Sequence, residues 1–211
     1  MFPLYDINRS RRIPYVVRWL VLANIAVFVW QFFLVPDPDQ AILHYGFIPS
    51  RFWADPAAEW PRIFSSMFMH GGLMHLLGNM WFLWVFGDNI EDQLGHFRFL
   101  VFYLLGGVAA ALAQGLVFAS TDVPMVGASG AISAVLGAYI LLFPRATVLS
   151  LVGWIPLPVP AFIYLGYWAV IQLLQNFAGV EGIAFWAHIG GFVFGMVLVR
   201  AFVLPQASRR Y

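Results

Sequence analysis

Six apolar stretches account for most of this chain of 211 residues. A helix rises ~1.5 Å per residue, so about 20 apolar residues, within a range of about 17–25, cross a hydrocarbon core of ~30 Å. Each stretch is long enough to do so. They lie at 17–35, 67–87, 97–118, 127–143, 157–177 and 184–204. We therefore predict an all-α membrane protein with six transmembrane helices, the fourth of them short.

The composition supports a multi-pass protein of one domain. The chain is 62% hydrophobic and 10% charged, whereas soluble domains average about 45–50% apolar and ~25% charged residues. Few residues remain outside the apolar stretches, so we predict a single integral membrane domain over residues 1–211. The net charge of +1 gives no indication of a nucleic-acid partner. The absence of cysteine excludes disulfides, thiolate nucleophiles and cysteine-based metal sites.

The arginines predict the orientation. With both termini in the cytoplasm, only Arg51 and Arg62 lie outside, which agrees with the positive-inside rule. The arginines on the cytoplasmic side are then Arg9, Arg11, Arg12, Arg18, Arg98, Arg145, Arg200, Arg209 and Arg210. Glu181 falls outside. The aromatic-rich connection 36–66 is also external, and we expect it to be structured, because loops beyond ~12–15 residues rarely lack structure.

Polar side chains on three spans are predicted to lie at one depth. His75 and Asn79 are four residues apart on span two and so share a helical face. Ser129 opens span four, and His188 lies in span six. Counted at ~1.5 Å per residue from the cytoplasmic ends, all four fall in one layer below the outer surface. Together they offer a nucleophile, a base and two hydrogen-bond donors.

The short fourth span favours acyl-transfer chemistry at its start. The free N–H groups and the positive dipole end at Ser129 would stabilise an oxyanion. No carboxylate lies inside a span near His188, which favours a Ser–His dyad over a triad. The same absence argues against an aspartyl protease, and the lack of a third ligand beside His75 and His188 argues against zinc. We predict no metal and no cofactor.

Each feature taken alone also has a structural explanation. Small residues around Ser129 could simply let helices approach closely. His188 could be a packing donor, and the His75 and Asn79 pair could be an interhelical clamp. Gly191 and Gly195 are expected to form a packing face that brings span six against span four.

Three motifs in order on spans two, four and six resemble the rhomboid family of intramembrane serine proteases. They match His-x4-His-x3-Asn, Gly-x-Ser-Gly and Ala-His-x2-Gly, and the resemblance covers nearly the whole chain. The motif residues are His70, His75, Asn79, Gly127, Ser129, Gly130, Ala187, His188 and Gly191. The opening residues 1–14 are similar to the start of many bacterial members. The resemblance thus implies a bacterial plasma (inner) membrane location with both termini cytoplasmic.

The resemblance implies roles for individual residues. Ser129 is expected to be the nucleophile and His188 the general base. His75 and Asn79, with the Ser129 N–H, are expected to form the oxyanion hole. Supporting residues are expected at His70, Gly127, Gly130, Gly191, Glu91 and Arg62, where Glu91 resembles an acid that ties down helix ends. The implied partners are transmembrane protein substrates and the lipid bilayer, with small side chains before the cut.

Two positions differ from the family's usual pattern. The external Trp-Arg pair reads Trp60-Pro61-Arg62, with the tryptophan shifted by one. The aromatic ring that often stacks on the histidine, one turn after the nucleophile, is replaced by Ser133, so Trp186 or Phe185 is the expected substitute.

The sequence therefore predicts an intramembrane serine endopeptidase. The alternative is a catalytically silent rhomboid-like protein that binds or chaperones membrane segments. Span five, which follows the proline-rich stretch 156–160, is either a movable gate or an ordinary helix whose start the prolines mark.

Overall fold

The computed structural model describes residues 1–179 and 182–205, so Glu181, Arg209 and Arg210 lie outside the described residues. The fold is mostly helical, as predicted. The helices are α1 (Tyr15–Val29, continued by a π-helical turn Trp30–Leu34), α2 (Pro38–Tyr45), α3 (Pro49–Ala54), α4 (Pro56–Ser66), α5 (Leu73–Leu94), α6 (His96–Val117), α7 (Ser129–Leu142), α8 (Ala161–Phe177) and α9 (Phe185–Phe202).

Three helices among the described residues are long and apolar enough to cross a membrane. They are Tyr15–Leu34, His96–Val117 and Phe185–Phe202, and α7 is a shorter apolar helix. The second predicted span, 67–87, corresponds to α5, which starts later and continues into a polar end. The fifth, 157–177, corresponds to the 17-residue α8. An integral membrane protein follows from these apolar helices.

The prediction of an all-α fold was incomplete, because the chain also forms an antiparallel sheet. Its order is β1 (Phe2–Asp6), β2 (Thr147–Val152) and β3 (Ile155–Pro160). The stretch 157–160, assigned above to span five, belongs to β3. Its prolines occupy every second position of an edge strand, where a missing N–H interrupts no ladder. Prolines that indicated a helix start therefore lie in a strand.

Side chains of α5 and α7 hold the N-terminal strand in place. The indole N–H of Trp81 donates to the Pro3 carbonyl at 2.6 Å. The Asp6 carboxylate accepts from the Tyr139 hydroxyl at 2.5 Å and from the Asn89 amide at 2.8 Å. Burial raises the pKa of Asp6 to about 7. The hydrogen bond from Tyr139 lowers this pKa, but its effect is smaller than that of burial. β1 is thus bonded both to β2 and to the helices.

A buried carboxylate joins α1 to the α5–α6 turn. Glu91 is fully buried and accepts from the N–H groups of Val16 and Val17 at 2.9 and 2.8 Å. His96 Nδ1 lies 2.5 Å from the same carboxylate. These N–H groups belong to the first turn of α1, which has no intrahelical partner for them. Glu91 therefore caps α1 and holds it against α5.

The connection 36–66 is structured, as predicted, and forms α2, α3 and α4. Each of these helices has proline in its first turn, where a missing N–H has no consequence. Trp53 of α3 donates to the Gly115 carbonyl of α6 at 2.8 Å. Phe47 pairs with Met125 in an isolated antiparallel bridge. These bonds fix the connection over the end of the bundle from which α7 begins.

α7 is the central helix, buried continuously from Gly130 to Tyr139. Glycines let α9 approach it at backbone distance: a Cβ added at Gly191 would collide with the Gly130 carbonyl, and one at Gly195 with the Ala134 carbonyl. Gly137 of α7 likewise faces the Phe192 carbonyl. Close crossing of helices over small residues is typical of membrane proteins. This crossing brings the first turns of α7 and α9 side by side.

Candidate active site

Ser129 and His188 meet where α7 and α9 begin. Ser129 is the first residue of α7, and His188 lies in the first turn of α9. His188 Nε2 is 2.8 Å from Ser129 Oγ, and both side chains are partly buried. The glycine contact between Gly130 and Gly191 sets this separation. A serine hydroxyl bonded to an imidazole is the geometry of an activated nucleophile.

The start of α7 presents unpaired backbone donors beside the Ser129 hydroxyl. The first bond of the helix runs from the Ile132 N–H to the Ala128 carbonyl at 3.0 Å. The N–H groups of residues 129–131 precede it, so the helix supplies them with no acceptor. They lie at the positive end of the helix dipole. This site can hold a negatively charged oxygen next to Ser129.

His75 and Asn79 of α5 approach the same point from the other side. A Cβ added at Gly127 would lie 2.7 Å from His75 Nε2 and 3.5 Å from Asn79 Nδ2. Asn79 Nδ2 is buried without a hydrogen-bond partner. His75 Nδ1 accepts a long bond from the Gly71 N–H at 3.4 Å, which leaves the hydrogen on Nε2. The side-chain donors of His75 and Asn79 therefore converge beside Gly127, two residues before Ser129.

Replacing Gly127 by alanine is expected to lower reactivity at Ser129 by more than about 10-fold, because small displacements of catalytic groups have large effects on rate. Gly127 has φ +120°, which a residue with a Cβ adopts only under strain of about 1–3 kcal/mol, and the new methyl group would displace His75. The rate of labelling by a fluorophosphonate measures the effect.

Gly78→Ala in the second turn of α5 is the matched control, because nothing lies within 4 Å of its added Cβ. It should label like wild type and unfold at the same or a slightly higher temperature. Equal rates for Gly127→Ala and Gly78→Ala would show that the space around Gly127 is irrelevant to the site.

His70 is buried behind His75. Its backbone carbonyl accepts from the Gln31 amide at 2.8 Å, and its N–H donates to Gln31 Oε1 at 3.2 Å. Its ring contacts the His75 ring edge-on at 5.1 Å, and its Nδ1 bonds to the Phe68 carbonyl at 3.2 Å. His70 thus packs against His75 without reaching the dyad.

Two predicted supporting residues lie away from the dyad. Arg62 donates to the His44 carbonyl at 2.7 Å and pairs with Glu59, so it joins α4 to α2. Trp60, the shifted tryptophan, is 56% exposed and contacts Phe64 edge-on. Glu91 lies at the opposite end of α5 and caps α1. Arg62 and Glu91 thus hold helices together away from the dyad, and Trp60 packs on its own helix, α4.

The residues that contact His188 from α8 were not anticipated. Gln172 Oε1 lies 2.6 Å from His188 Nδ1. Trp168, one turn earlier, places its ring centroid 6.1 Å from the imidazole at an interplanar angle of 38°. The ring beside His188 thus comes from α8, whereas Trp186 or Phe185 was expected. The signal for Gln172 was an amide in a largely apolar helix, because a buried amide needs a partner in the membrane.

Ser133 bonds within its own helix. Its hydroxyl donates to the Ser129 carbonyl at 2.7 Å, the back-bond that serine makes one turn along a helix. Within the described part of the chain, no group of three or more His, Asp or Glu side chains is arranged to hold a metal ion.

Comparison with known proteins identifies the family. The profile of the Rhomboid domain matches residues 57–205, which include both Ser129 and His188. The chain is 33% identical to rhomboid protease GluP of Bacillus subtilis (strain 168) over 152 residues, covering 71% of this chain and 27% of that protein. It is 33% identical to presenilin-associated rhomboid-like protein A, mitochondrial, of Danio rerio over 185 residues, or 84% of this chain and 45% of the relative.

A third relative is rhomboid-like protein 11, chloroplastic, of Arabidopsis thaliana. It is 29% identical over 195 residues, covering 86% of this chain and 63% of that protein. The chain therefore spans less than two thirds of the length of these relatives. The family profile covers well over half of the chain and includes the three motifs. The chain belongs to the rhomboid family of membrane proteins.

Proposed function

We propose that the chain is an intramembrane serine endopeptidase that hydrolyses peptide bonds in or near transmembrane segments. The observation that carries this proposal is the 2.8 Å contact between His188 Nε2 and Ser129 Oγ. The unpaired donors of Asn79 and of the first turn of α7 support it, because binding alone requires neither an activated serine nor an oxyanion site.

The reaction proceeds through an acyl-enzyme. His188 Nε2 takes the Ser129 proton while Ser129 Oγ attacks the carbon of the substrate carbonyl. The carbonyl oxygen becomes an oxyanion. His75, Asn79 and the Ser129 N–H donate to that oxygen. Collapse breaks the C–N bond, and the imidazolium gives its proton to the leaving amine. His188 then deprotonates a water molecule, which attacks the ester. When the bond to Ser129 Oγ breaks, His188 returns the proton to that oxygen and the acid is released.

The proposed topology has six crossings with both termini in the cytoplasm of a bacterial cell. Relatives named as mitochondrial and chloroplastic make other membranes the alternative. A helical substrate hides its carbonyls in i→i−4 bonds, so the preferred targets are segments that unwind easily near the outer face. Small side chains before the cut and a movable α8 belong to the same proposal.

A second function is a membrane-segment binding protein without catalysis, since two relatives are named rhomboid-like rather than protease. A fluorophosphonate probe distinguishes the two, because Oγ of an activated serine displaces fluoride from phosphorus. Wild type should label in detergent and Ser129→Ala should not. A folded wild-type protein that does not label would favour the binding function, and equal labelling of both would mean that another residue reacts.

A further inference from the structure

Gln172 is the polar residue on the buried face of α8. That face comprises Ala161, Tyr164, Leu165 and Gln172, while large apolar side chains such as Phe162, Val170 and Leu174 point outward. Gln172 is 9% exposed. An amide among apolar groups is unfavourable unless it is hydrogen-bonded. Its partner is the ring of His188, 16 residues along the chain.

The contact with Gln172 decides which ring nitrogen of His188 carries the hydrogen. A neutral imidazole has one donor nitrogen and one acceptor nitrogen. Ser129 can donate its hydroxyl proton to Nε2 only when Nε2 carries no hydrogen, and the hydrogen is then on Nδ1. Gln172 Oε1 lies 2.6 Å from Nδ1 and is an acceptor. The two contacts therefore select the same tautomer.

We propose that Gln172 is a positioning residue of the dyad. Its amide oxygen accepts the His188 Nδ1–H and so holds the imidazole in the tautomer and orientation in which Nε2 takes the Ser129 proton. This inference rests on the proposed protease function. It adds a neutral third member, supplied by α8, to a site that the sequence indicated was a dyad.

An amide differs from a carboxylate in this position. Both accept from Nδ1–H and orient the ring, but the amide carries no charge that would need compensation within the membrane. It therefore orients the base without adding a counterion for the imidazolium. Trp168 contributes a second contact from the same helix, since aromatic faces attract cations within ~6 Å. Two contacts of the His188 ring thus come from α8, and the third comes from Ser129.

The first experiment measures the rate of fluorophosphonate labelling in detergent for the wild type, Gln172→Leu, Gln172→Glu and Gln175→Leu. Gln172→Leu keeps similar bulk but removes the acceptor, so labelling should fall about 10-fold to 100-fold. Gln172→Glu keeps an acceptor oxygen whether or not it is ionised, and should recover most of the rate. Gln175→Leu replaces the same residue type in the same helix without touching His188, and should label like wild type.

A tautomer measurement separates positioning from general damage to the fold. With ¹⁵N-labelled histidine, the shifts of the two ring nitrogens report which one carries the hydrogen. His188 should be the Nδ1–H form in wild type and Gln172→Glu, and a mixture of forms in Gln172→Leu. Thermal unfolding of each variant confirms that the compared proteins are folded.

The outcomes distinguish the inference from the function on which it rests. Wild-type rate together with an unchanged tautomer in folded Gln172→Leu overturns the role of Gln172 and leaves the protease intact. A wild type that fails to label overturns the protease, and the ring shifts then decide alone whether Gln172 selects the tautomer. If Gln172→Leu does not fold, an Nε2–H form in wild type would still contradict the proposal.

Discussion

Ser129→Ala and His188→Ala are each expected to lower peptide-bond cleavage by at least about 10³-fold. Alanine at 129 removes the oxygen that forms the acyl-enzyme. Alanine at 188 removes the nitrogen 2.8 Å from that oxygen, so the hydroxyl keeps its proton at neutral pH. Because both act in one step, the double variant should be no slower than either single variant.

The assay uses proteoliposomes containing a single-span peptide with small side chains and a glycine near its outer end. Ser65→Ala is the control. The Ser65 hydroxyl donates to the Tyr45 carbonyl at 2.6 Å within the connection 36–66, and this variant should cleave the peptide like wild type. Ser129→Ala activity above about a tenth of the wild-type rate would exclude Ser129 as the nucleophile.

Glu91→Ala is expected to destabilise the fold by about 3–5 kcal/mol. The substitution leaves the N–H groups of Val16 and Val17 without their acceptor and removes the partner of His96. The side chain is fully buried, so water does not easily replace it. At about 2–4 °C per kcal/mol for a chain of this size, thermal unfolding in detergent should occur about 10 °C lower.

The neighbouring Asp92→Ala provides the matched control. Asp92 accepts from the Arg12 N–H at 3.0 Å in an exposed bond, so its loss should change stability by less than about 1 kcal/mol. Glu91→Gln keeps one acceptor oxygen and should fall between the two. If Glu91→Ala and Asp92→Ala unfold at the same temperature, the carboxylate does not hold α1 to α5.

Helix positions were predicted well where apolar composition and helix formation coincide. α6 and α9 begin and end within two residues of the predicted stretches. The second span was displaced, since apolar residues continue through Met67 and Met69, which lie in the non-helical connection between α4 and α5. Gln31 bonds to the His70 backbone in this connection. The sheet was missed for two reasons: β1 pairs with a strand in the other half of the chain, Phe2 with Leu151 for example, and the prolines of the local β2–β3 hairpin indicated the start of a helix.

In the candidate site too, some features could be predicted from the sequence and others depended on the tertiary structure. The motif residues could be chosen from sequence because serine, histidine and asparagine are unusual in apolar helices. Gln172 satisfies the same criterion, yet its role depends on how α8 is rotated about its axis. Glu91 was expected to join helix ends, but only the contacts show that it caps α1. Trp168 carries no signal of its own, because aromatic residues are common throughout this chain.

The sequence by itself determined the apolar helices, the family and the set of polar residues available for chemistry. The helices follow from free energies of transfer and from hydrogen bonds that lie within one segment, and the family and the polar residues are read from the motifs themselves. The tertiary structure decided which groups meet: His188 with Ser129, 59 residues apart, and with Gln172, 16 residues apart. Such contacts depend on where helices cross and how each helix is rotated about its axis. At α7 and α9, the crossing is set by glycines that face the backbone of the other helix. No single segment contains that information.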